Sequence, residues 1–251
     1  MAVNVLAPLV AIAVGGAAIA VVTRPVSAFA RRYVSDLEQA EARTGTASPN
    51  DTTAEPSTFR ARWLLTSASQ GVLAAILCGS TLMRGAACGA WGEVIVALPL
   101  VALLGAACSV DAVCHRLPNH ILARAAMWTG AATAALTVVN AATGTPLPEA
   151  GWAVLRSILC AVSAGVMVGA MALLPGSGMG LGDAKLCAVL GLWLGHFGGT
   201  YTAMGIILGF FIGGIVAIAL MVSRLADRKT LIAFGPYLSL GGWLAWMLAV
   251  A

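Results

Sequence analysis

Eight long apolar runs constrain the fold of this chain more than any other feature of its sequence. They cover residues 3–23, 64–83, 94–112, 121–142, 153–174, 186–200, 201–222 and 231–250. A helix needs about 20 apolar residues to cross the hydrocarbon core of a bilayer, and backbone groups in lipid must bond within the segment. No run alternates as a barrel strand does. The pattern therefore predicts an all-α integral membrane protein, a polytopic bundle of about eight transmembrane helices.

The composition of the chain supports the same class. Only 10% of its 251 residues are charged and 60% are hydrophobic, whereas soluble domains average about 25% charged residues. A surface this poor in charge suits contact with membrane lipid, which we expect to surround the bundle. The chain has no basic patch with interleaved aromatic residues, so nothing in it indicates nucleic-acid binding.

The chain divides at its single clearly hydrophilic stretch. We predict that residues 1–23 form the first transmembrane helix, that residues 24–63 form a polar cytoplasmic loop, partly flexible, and that residues 64–251 form a core of seven helices. Within the loop, Val26–Glu41 has the pattern of a short amphipathic helix, and Thr44–Pro56 has the composition of a linker.

The first apolar run also resembles a signal peptide, because Ala28-Phe29-Ala30 has the small residues of a cleavage site. However, no Lys or Arg precedes Arg24, and the run is longer than the apolar core of most signal peptides. These two features favour a retained helix.

The positive charges predict how the bundle is oriented. Twelve of the fourteen Lys and Arg residues lie in or beside four loops, at residues 24–63, 113–120, 175–185 and 223–230. These loops share one side if the spans alternate across the bilayer. Positively charged loops mark the cytoplasmic side, so we predict a multi-pass protein of the plasma membrane with these loops in the cytoplasm.

Two acidic residues, Asp111 and Asp183, lie where an apolar run meets a loop on this side. Ionisable groups at such positions are costly and are candidates for function. Two carboxylates at one site can divide the work of peptide hydrolysis, since the ionised one accepts a proton from water and the protonated one donates to the scissile carbonyl. Two such groups held close together share a proton. We predict that Asp111 and Asp183 form this pair.

Three short motifs accompany the two acids. The second acid lies in Gly180-x-Gly182-Asp183-x-Lys185-Leu186, Asp111 precedes the turn Leu117-Pro118-Asn119, and Phe234-Gly235-Pro236 occurs in the last apolar run. In this order the motifs resemble those of the type IV prepilin peptidase family, a branch of the GxGD-type intramembrane aspartyl proteases. The resemblance covers roughly residues 64–251. It implies that Asp111 and Asp183 are catalytic, and that the substrate-binding or site-shaping residues are Pro118, Asn119, Gly180, Gly182, Lys185, Phe234, Gly235 and Pro236.

The resemblance also implies a substrate and a cell type. Members of the family cleave the basic leader, a class III signal peptide, from prepilins and pseudopilins with an apolar N-terminal helix, at the cytoplasmic membrane face of prokaryotes. Many members also carry an N-terminal domain with two Cys-x-x-Cys pairs and methylate the new N-terminus. Residues 24–62 contain no cysteine, so we expect a short form without the tetracysteine zinc domain. We predict no metal and no other cofactor, and methyltransferase activity is in doubt.

Two structural interpretations of the same residues remain open. Asp111 and Asp183 have Arg116 and Lys185 close by in sequence, so each acid has a candidate partner for a helix-edge ion pair. Cys114, His115 and Cys187 also lie near the acids, although their spacing matches no known metal site.

Two other functions remain open as well. A presenilin-like protease shares the Gly-x-Gly-Asp motif but pairs it with a Tyr-Asp motif, whereas Ser109-Val110 precedes Asp111 here. A proton-coupled transporter would use the two acids as a relay, but the chain lacks the paired broken segments in two similar halves that are typical of transporters.

Overall fold

The computed structural model describes residues 6–44, 62–174, 179–224 and 233–251, and these contain no strand. Their α-helices, in chain order, are α1 (Leu6–Val21), α2 (Ser27–Thr44), α3 (Ser67–Cys88), α4 (Trp91–Cys114), α5 (Asn119–Ala142), α6 (Leu147–Ala172), α7 (Leu181–Leu194), α8 (Gly199–Val222) and α9 (Gly235–Ala249). The predicted all-α membrane bundle is confirmed.

Six of these helices are long and apolar enough to cross a membrane, namely α1 with its continuation to Leu37, and α3, α4, α5, α6 and α8. Two more of the predicted spans, α7 and α9, have 14 and 15 residues. At 1.5 Å per residue they extend only about 21–22 Å, which is less than the hydrocarbon thickness of about 30 Å. The short run predicted at 186–200 is therefore matched by a short helix, which begins earlier, at Leu181, and ends at Leu194.

The first two helices form one continuous rod. A π-helical turn, Val22–Val26, joins α1 to α2 and contains Pro25. Proline lacks the N–H that an α-helical ladder needs, and a π-turn is one way to accommodate this loss within a helix. Helix α2 covers all of the amphipathic segment predicted at Val26–Glu41 except Val26, which belongs to the π-helical turn. Most of the predicted linker Thr44–Pro56 lies outside the described residues.

Helix α4 is the centre of the bundle. In its apolar 18-residue segment 72% of the residues are buried, whereas the corresponding share is 22–33% in the other five candidate spans. It packs against α1, α3, α5 and α9. Because protein surrounds α4, a side chain near its end is held inside the molecule even where the apolar run has stopped.

A stripe of small residues on α8 fixes the position of α9. Gly205, Gly209 and Gly213 recur every four residues, a spacing that favours close approach of another helix. A methyl group added at Gly209 would lie 2.7 Å from the Cα of Leu238, and one added at Gly213 would lie 3.1 Å from the ring of Phe234. The close contact places the start of α9 beside the end of α4.

Candidate active site

Asp111 lies one turn before the end of α4 and only 4% of its surface is exposed. The helix ends at His115, whose backbone has a left-handed φ of 51° and whose N–H donates to the carbonyl of Asp111. The backbone N–H of Gly235, the first residue of α9, donates to Oδ2 of Asp111 over 3.0 Å. A residue 124 positions away in the chain therefore holds this carboxylate.

Asp183 lies in the first turn of α7 and is 8% exposed. Its Oδ2 accepts a hydrogen bond from the backbone N–H of Gly180 over 3.0 Å. A carboxylate at the third helical position often bonds back to the residue that caps the helix, and negative charge is favourable at a helix N-terminus. Gly180 has no side chain, so only this half of the usual reciprocal cap is present.

Both carboxylates line one cavity of about 570 Å³. The cavity lies at the end of the bundle where α4 ends and where α5, α7 and α9 begin. Each carboxylate has one oxygen bonded to a backbone N–H, and among the described residues no further hydrogen bond reaches either group. We call this space the acid cavity.

The motif residues surround the acid cavity in different ways. Asn119, Gly180, Gly182, Lys185 and Phe234 line it, together with the two acids. Gly235 contacts the site through its hydrogen bond to Asp111. Pro118 precedes α5 as its cap residue and Pro236 follows Gly235 in α9, and neither of these prolines lines the acid cavity.

The two nearby cations do not pair with the acids. Lys185 Nζ donates to Oδ1 of Asn119 over 2.8 Å. Arg116 lines the acid cavity, but in the described parts of the chain neither Asp111 nor Asp183 belongs to an ion pair. The interpretation of the acids as helix-edge ion pairs therefore gains no support from the geometry.

A metal centre gains no support either. The described residues contain no group of three or more His, Cys, Asp or Glu side chains that would hold a metal ion. Cys187 is buried in α7 and the thiol of Cys114 donates to Val110 O within α4.

Sequence reasoning missed several residues of the site. Leu117 is buried between two motif glycines, since a methyl added at Gly182 would lie 3.2 Å from its Cβ and one added at Gly235 would lie 3.3 Å from its Cδ2. Met179 and Tyr33 also line the acid cavity, and so does His115, which the sequence had indicated only as a neighbour of the acids in a possible metal site. Leu117 could have been identified as a site residue from the sequence, because it directly precedes Pro118 in the motif turn. Nothing in the sequence indicated Tyr33, which reaches the site from α2.

Curated proteins named prepilin leader peptidase/N-methyltransferase match this chain. The protein from Pseudomonas putida is 32% identical over 158 residues, which are 62% of this chain and 51% of that protein. Those from Pseudomonas aeruginosa and Aeromonas salmonicida are 41% and 43% identical over 68 and 70 residues, in each case 27% of this chain and 22% of the relative.

The chain is similar in sequence to the prepilin leader peptidases. The resemblance that the motifs predicted is thereby confirmed, although the matched segments cover about half of one of these relatives and less than a quarter of the other two. No protein-family model matches the chain, and no solved structure matches it.

Proposed function

We propose that this chain is an intramembrane aspartyl endopeptidase that removes the basic leader from prepilin-like proteins at the cytoplasmic face of the plasma membrane. One observation carries the proposal. Asp111 and Asp183 are 72 positions apart in sequence and belong to different helices, yet they line the same cavity at one end of the bundle. The names of the similar proteins support prepilins as the substrate class.

The two carboxylates would divide the reaction as an acid and a base. The ionised carboxylate accepts a proton from a water molecule, whose oxygen attacks the scissile carbonyl carbon, while the protonated carboxyl donates its proton to the carbonyl oxygen. The carbon–nitrogen bond then breaks, and the new amine takes up the proton that the first carboxylate had accepted. One hydroxyl of the tetrahedral intermediate returns its proton to the second carboxylate, which leaves a carboxylic acid as the other product. Two acids that share a site titrate as a unit, so we assign neither role to one particular residue.

The hydrogen bonds to the two Oδ2 atoms would prepare the acids for this reaction. A backbone N–H that donates to a carboxylate stabilises its ionised form and fixes its orientation. Because each donor uses one oxygen, the other oxygen of each acid stays available to water or substrate. The donors belong to different segments, Gly180 before α7 and Gly235 at the start of α9, so the packing of these helices sets the geometry of the pair.

The cytoplasmic orientation is supported by the charges. The bundle end that holds the acid cavity also carries Arg116 and Lys185, and positively charged segments mark the cytoplasmic side. The membrane interior lies along the helices, so a peptide bond in the acid cavity would lie at the boundary between water and lipid. We do not extend the proposal to methyl transfer, since residues 24–62 contain no cysteine.

Co-expression with a prepilin tests this function. Asp111→Asn and Asp183→Asn keep the size of each side chain but remove its acid, so each variant should slow leader removal by a factor on the order of 10³ or more. Asp36→Asn, at an exposed position of α2, is the matched control and should process the prepilin normally. Complete processing by either active-site variant would refute the aspartyl mechanism. A cut in the middle of the bilayer, located by mass spectrometry, would favour another GxGD-type protease.

A further inference from the structure

An apolar groove lies beside the acid cavity, between α3, α4 and α9, and has a volume of about 310 Å³. Its floor is the face of α4 from Val101 to Ala112. One wall includes Leu73 and Leu77 of α3, and the other is the face of α9 from Pro236 to Trp243. We call it the α3–α9 groove.

One end of the α3–α9 groove adjoins the catalytic pair. On α4 its lining includes Ala112, the residue next to Asp111. On α9 its lining begins at Pro236, the residue next to Gly235, whose N–H holds the Asp111 carboxylate. The lining of the groove therefore includes a chain neighbour of each partner of that hydrogen bond.

The other end of the α3–α9 groove is closed. Nε1 of Trp243 donates to Oγ1 of Thr81 over 3.1 Å, which ties α9 to α3. Beyond this contact, Nε of Arg84 donates to the carbonyl of Met247 over 2.9 Å. From Pro236 to Trp243 the groove thus extends along eight residues of helix, which span about 10 Å. This length matches roughly two turns of another helix, whose side chains on one face would enter the groove.

The lining of the α3–α9 groove suits an apolar segment that enters from the side. Leu240 on its rim is 39% exposed, so the groove opens toward the lipid. The thiol of Cys108 donates to Ser239, and the hydroxyl of Ser109 donates to Gly105 O. These side chains use their protons inside the protein. A helix in lipid satisfies its own backbone hydrogen bonds. A substrate helix with an apolar surface therefore needs no hydrogen-bond partner from the groove.

The geometry points to the α3–α9 groove as the binding site for the first two turns of the apolar substrate helix that follows the scissile bond. This inference rests on the proposed function. The substrate would enter the groove laterally from the bilayer, and the rest of its helix would leave the groove before the Trp243–Thr81 contact and continue in the lipid. The peptide bond before that helix would then lie beside Asp111, with the leader on the water side of the acid cavity.

A second apolar groove, of about 480 Å³ between α5, α6 and α7, also reaches the acid cavity. The residues common to both are Asn119 and Lys185. These two side chains are hydrogen-bonded to each other, so a chain passing from this groove to the acids would have to break their contact. At the α3–α9 groove the contact nearest the acids is the one that holds Asp111 itself, from Gly235, and the floor of this groove is α4, the most buried of the candidate spans. For these two reasons we favour it.

Filling the α3–α9 groove should selectively impair the cleavage of long substrates. We compare Leu240→Trp with the control Leu248→Trp, which changes a 55% exposed leucine on the same helix beyond the groove. Purified variants are assayed with a full-length prepilin and with a short peptide that ends soon after the scissile bond. For Leu240→Trp, the ratio of the two kcat/KM values, full-length over short, should fall at least about tenfold. For Leu248→Trp it should match that of the unmodified protein. An unchanged ratio for Leu240→Trp would overturn the inference.

Photocrosslinking identifies the occupant directly. A photoreactive amino acid is placed at position 240, 248 or 192, the last in the second groove, in the Asp183→Asn variant with bound prepilin. Position 240 should crosslink to substrate residues within about two helical turns of the scissile bond. Crosslinks from position 240 to lipid alone, or to substrate from position 192 instead, would overturn the inference.

The two proposals can fail separately. If Asp111→Asn and Asp183→Asn still process prepilin, the proposed function is wrong. If those variants are inactive while Leu240→Trp keeps its substrate ratio, only the assignment of the α3–α9 groove is wrong.

Discussion

At the scale of single residues, the site depends on positions where no side chain fits. Gly235 donates its N–H to Asp111, and a methyl group added at Gly235 would lie 2.6 Å from Oδ2 of that acid. A methyl group added at Gly182 would likewise lie close to a neighbour, 3.2 Å from Cβ of Leu117. Glycine therefore serves here for close approach of backbone to side chain, and the motif glycines gain a specific physical role.

Gly235→Ala should displace the Asp111 carboxylate. A shift of about 1 Å in a catalytic group costs on the order of 10² in rate, so we expect a loss of that size in prepilin processing. Gly151→Ala on α6 is the control, because a methyl added there meets no other atom within 4 Å. Wild-type processing by Gly235→Ala would show that the hydrogen bond to Asp111 does not position this acid for catalysis.

The hydrogen bond between Lys185 and Asn119 links α7 to α5 at the acid cavity. If the two side chains act as one unit, Lys185→Met and Asn119→Ala should each slow processing by a similar factor. The double variant should be no slower than the slower single variant, since residues in contact give non-additive effects. Purely multiplicative losses in kcat/KM would mean that the two residues act independently.

At the scale of helices, the contact between α8 and α9 determines where α9 lies at the site. Helix α9 supplies both the donor for Asp111 and a wall of the α3–α9 groove. The glycine stripe of α8 determines how closely α9 can pack. A change on α8 should therefore alter activity without touching the acid cavity itself.

Gly209→Ala tests this dependence. The added methyl would lie 2.7 Å from the Cα of Leu238, and overpacking of a close contact typically costs about 1–3 kcal/mol of stability. We expect a lower unfolding temperature in detergent together with reduced processing. Gly214→Ala, on the same helix with no atom within 4 Å of the added methyl, should leave both properties intact. Equal behaviour of the two variants would mean that α9 does not depend on this contact.

At the scale of the whole molecule, the helix ends fall into two groups. The acid cavity lies where α4 ends and where α5, α7 and α9 begin. The turn between α3 and α4, at Gly89 and Ala90, lies at the opposite end of α4. Cys88, the last residue of α3, is exposed there. If the acid cavity faces the cytoplasm, Cys88 faces outward.

A maleimide that cannot cross the plasma membrane should therefore label Cys88 from the outer side of that membrane, in intact cells whose outer envelope has been permeabilised. Cys88→Ser provides the control, because the labelling should disappear with this one thiol. A cysteine introduced at Ser223, at the other end of α8 from Gly199, should react only after lysis. Labelling of Cys88 from the inside alone would reverse the proposed orientation.

The helix boundaries show where the sequence was a limited guide. The apolar run at 64–83 stops before Arg84, whereas α3 continues to Cys88 and ends at Gly89, which has a left-handed φ of 69°. Its start is set by Thr66, whose hydroxyl accepts from the N–H of Ser69 over 3.3 Å. Hydropathy reports which residues tolerate lipid, while caps determine where the hydrogen-bond ladder ends. Predicted and observed ends therefore differ by several residues.

The sequence by itself determined the class of fold and the two acids. Hydrophobic length and isolated charge are local properties, so the apolar runs, Asp111 and Asp183 can be identified without knowing any contact. The tertiary structure alone decided that Gly235 bonds to Asp111, that Leu117 packs between Gly182 and Gly235, and that an apolar groove lies beside Asp111. These features arise where helices distant in sequence pack together, and no local period in the chain encodes such contacts.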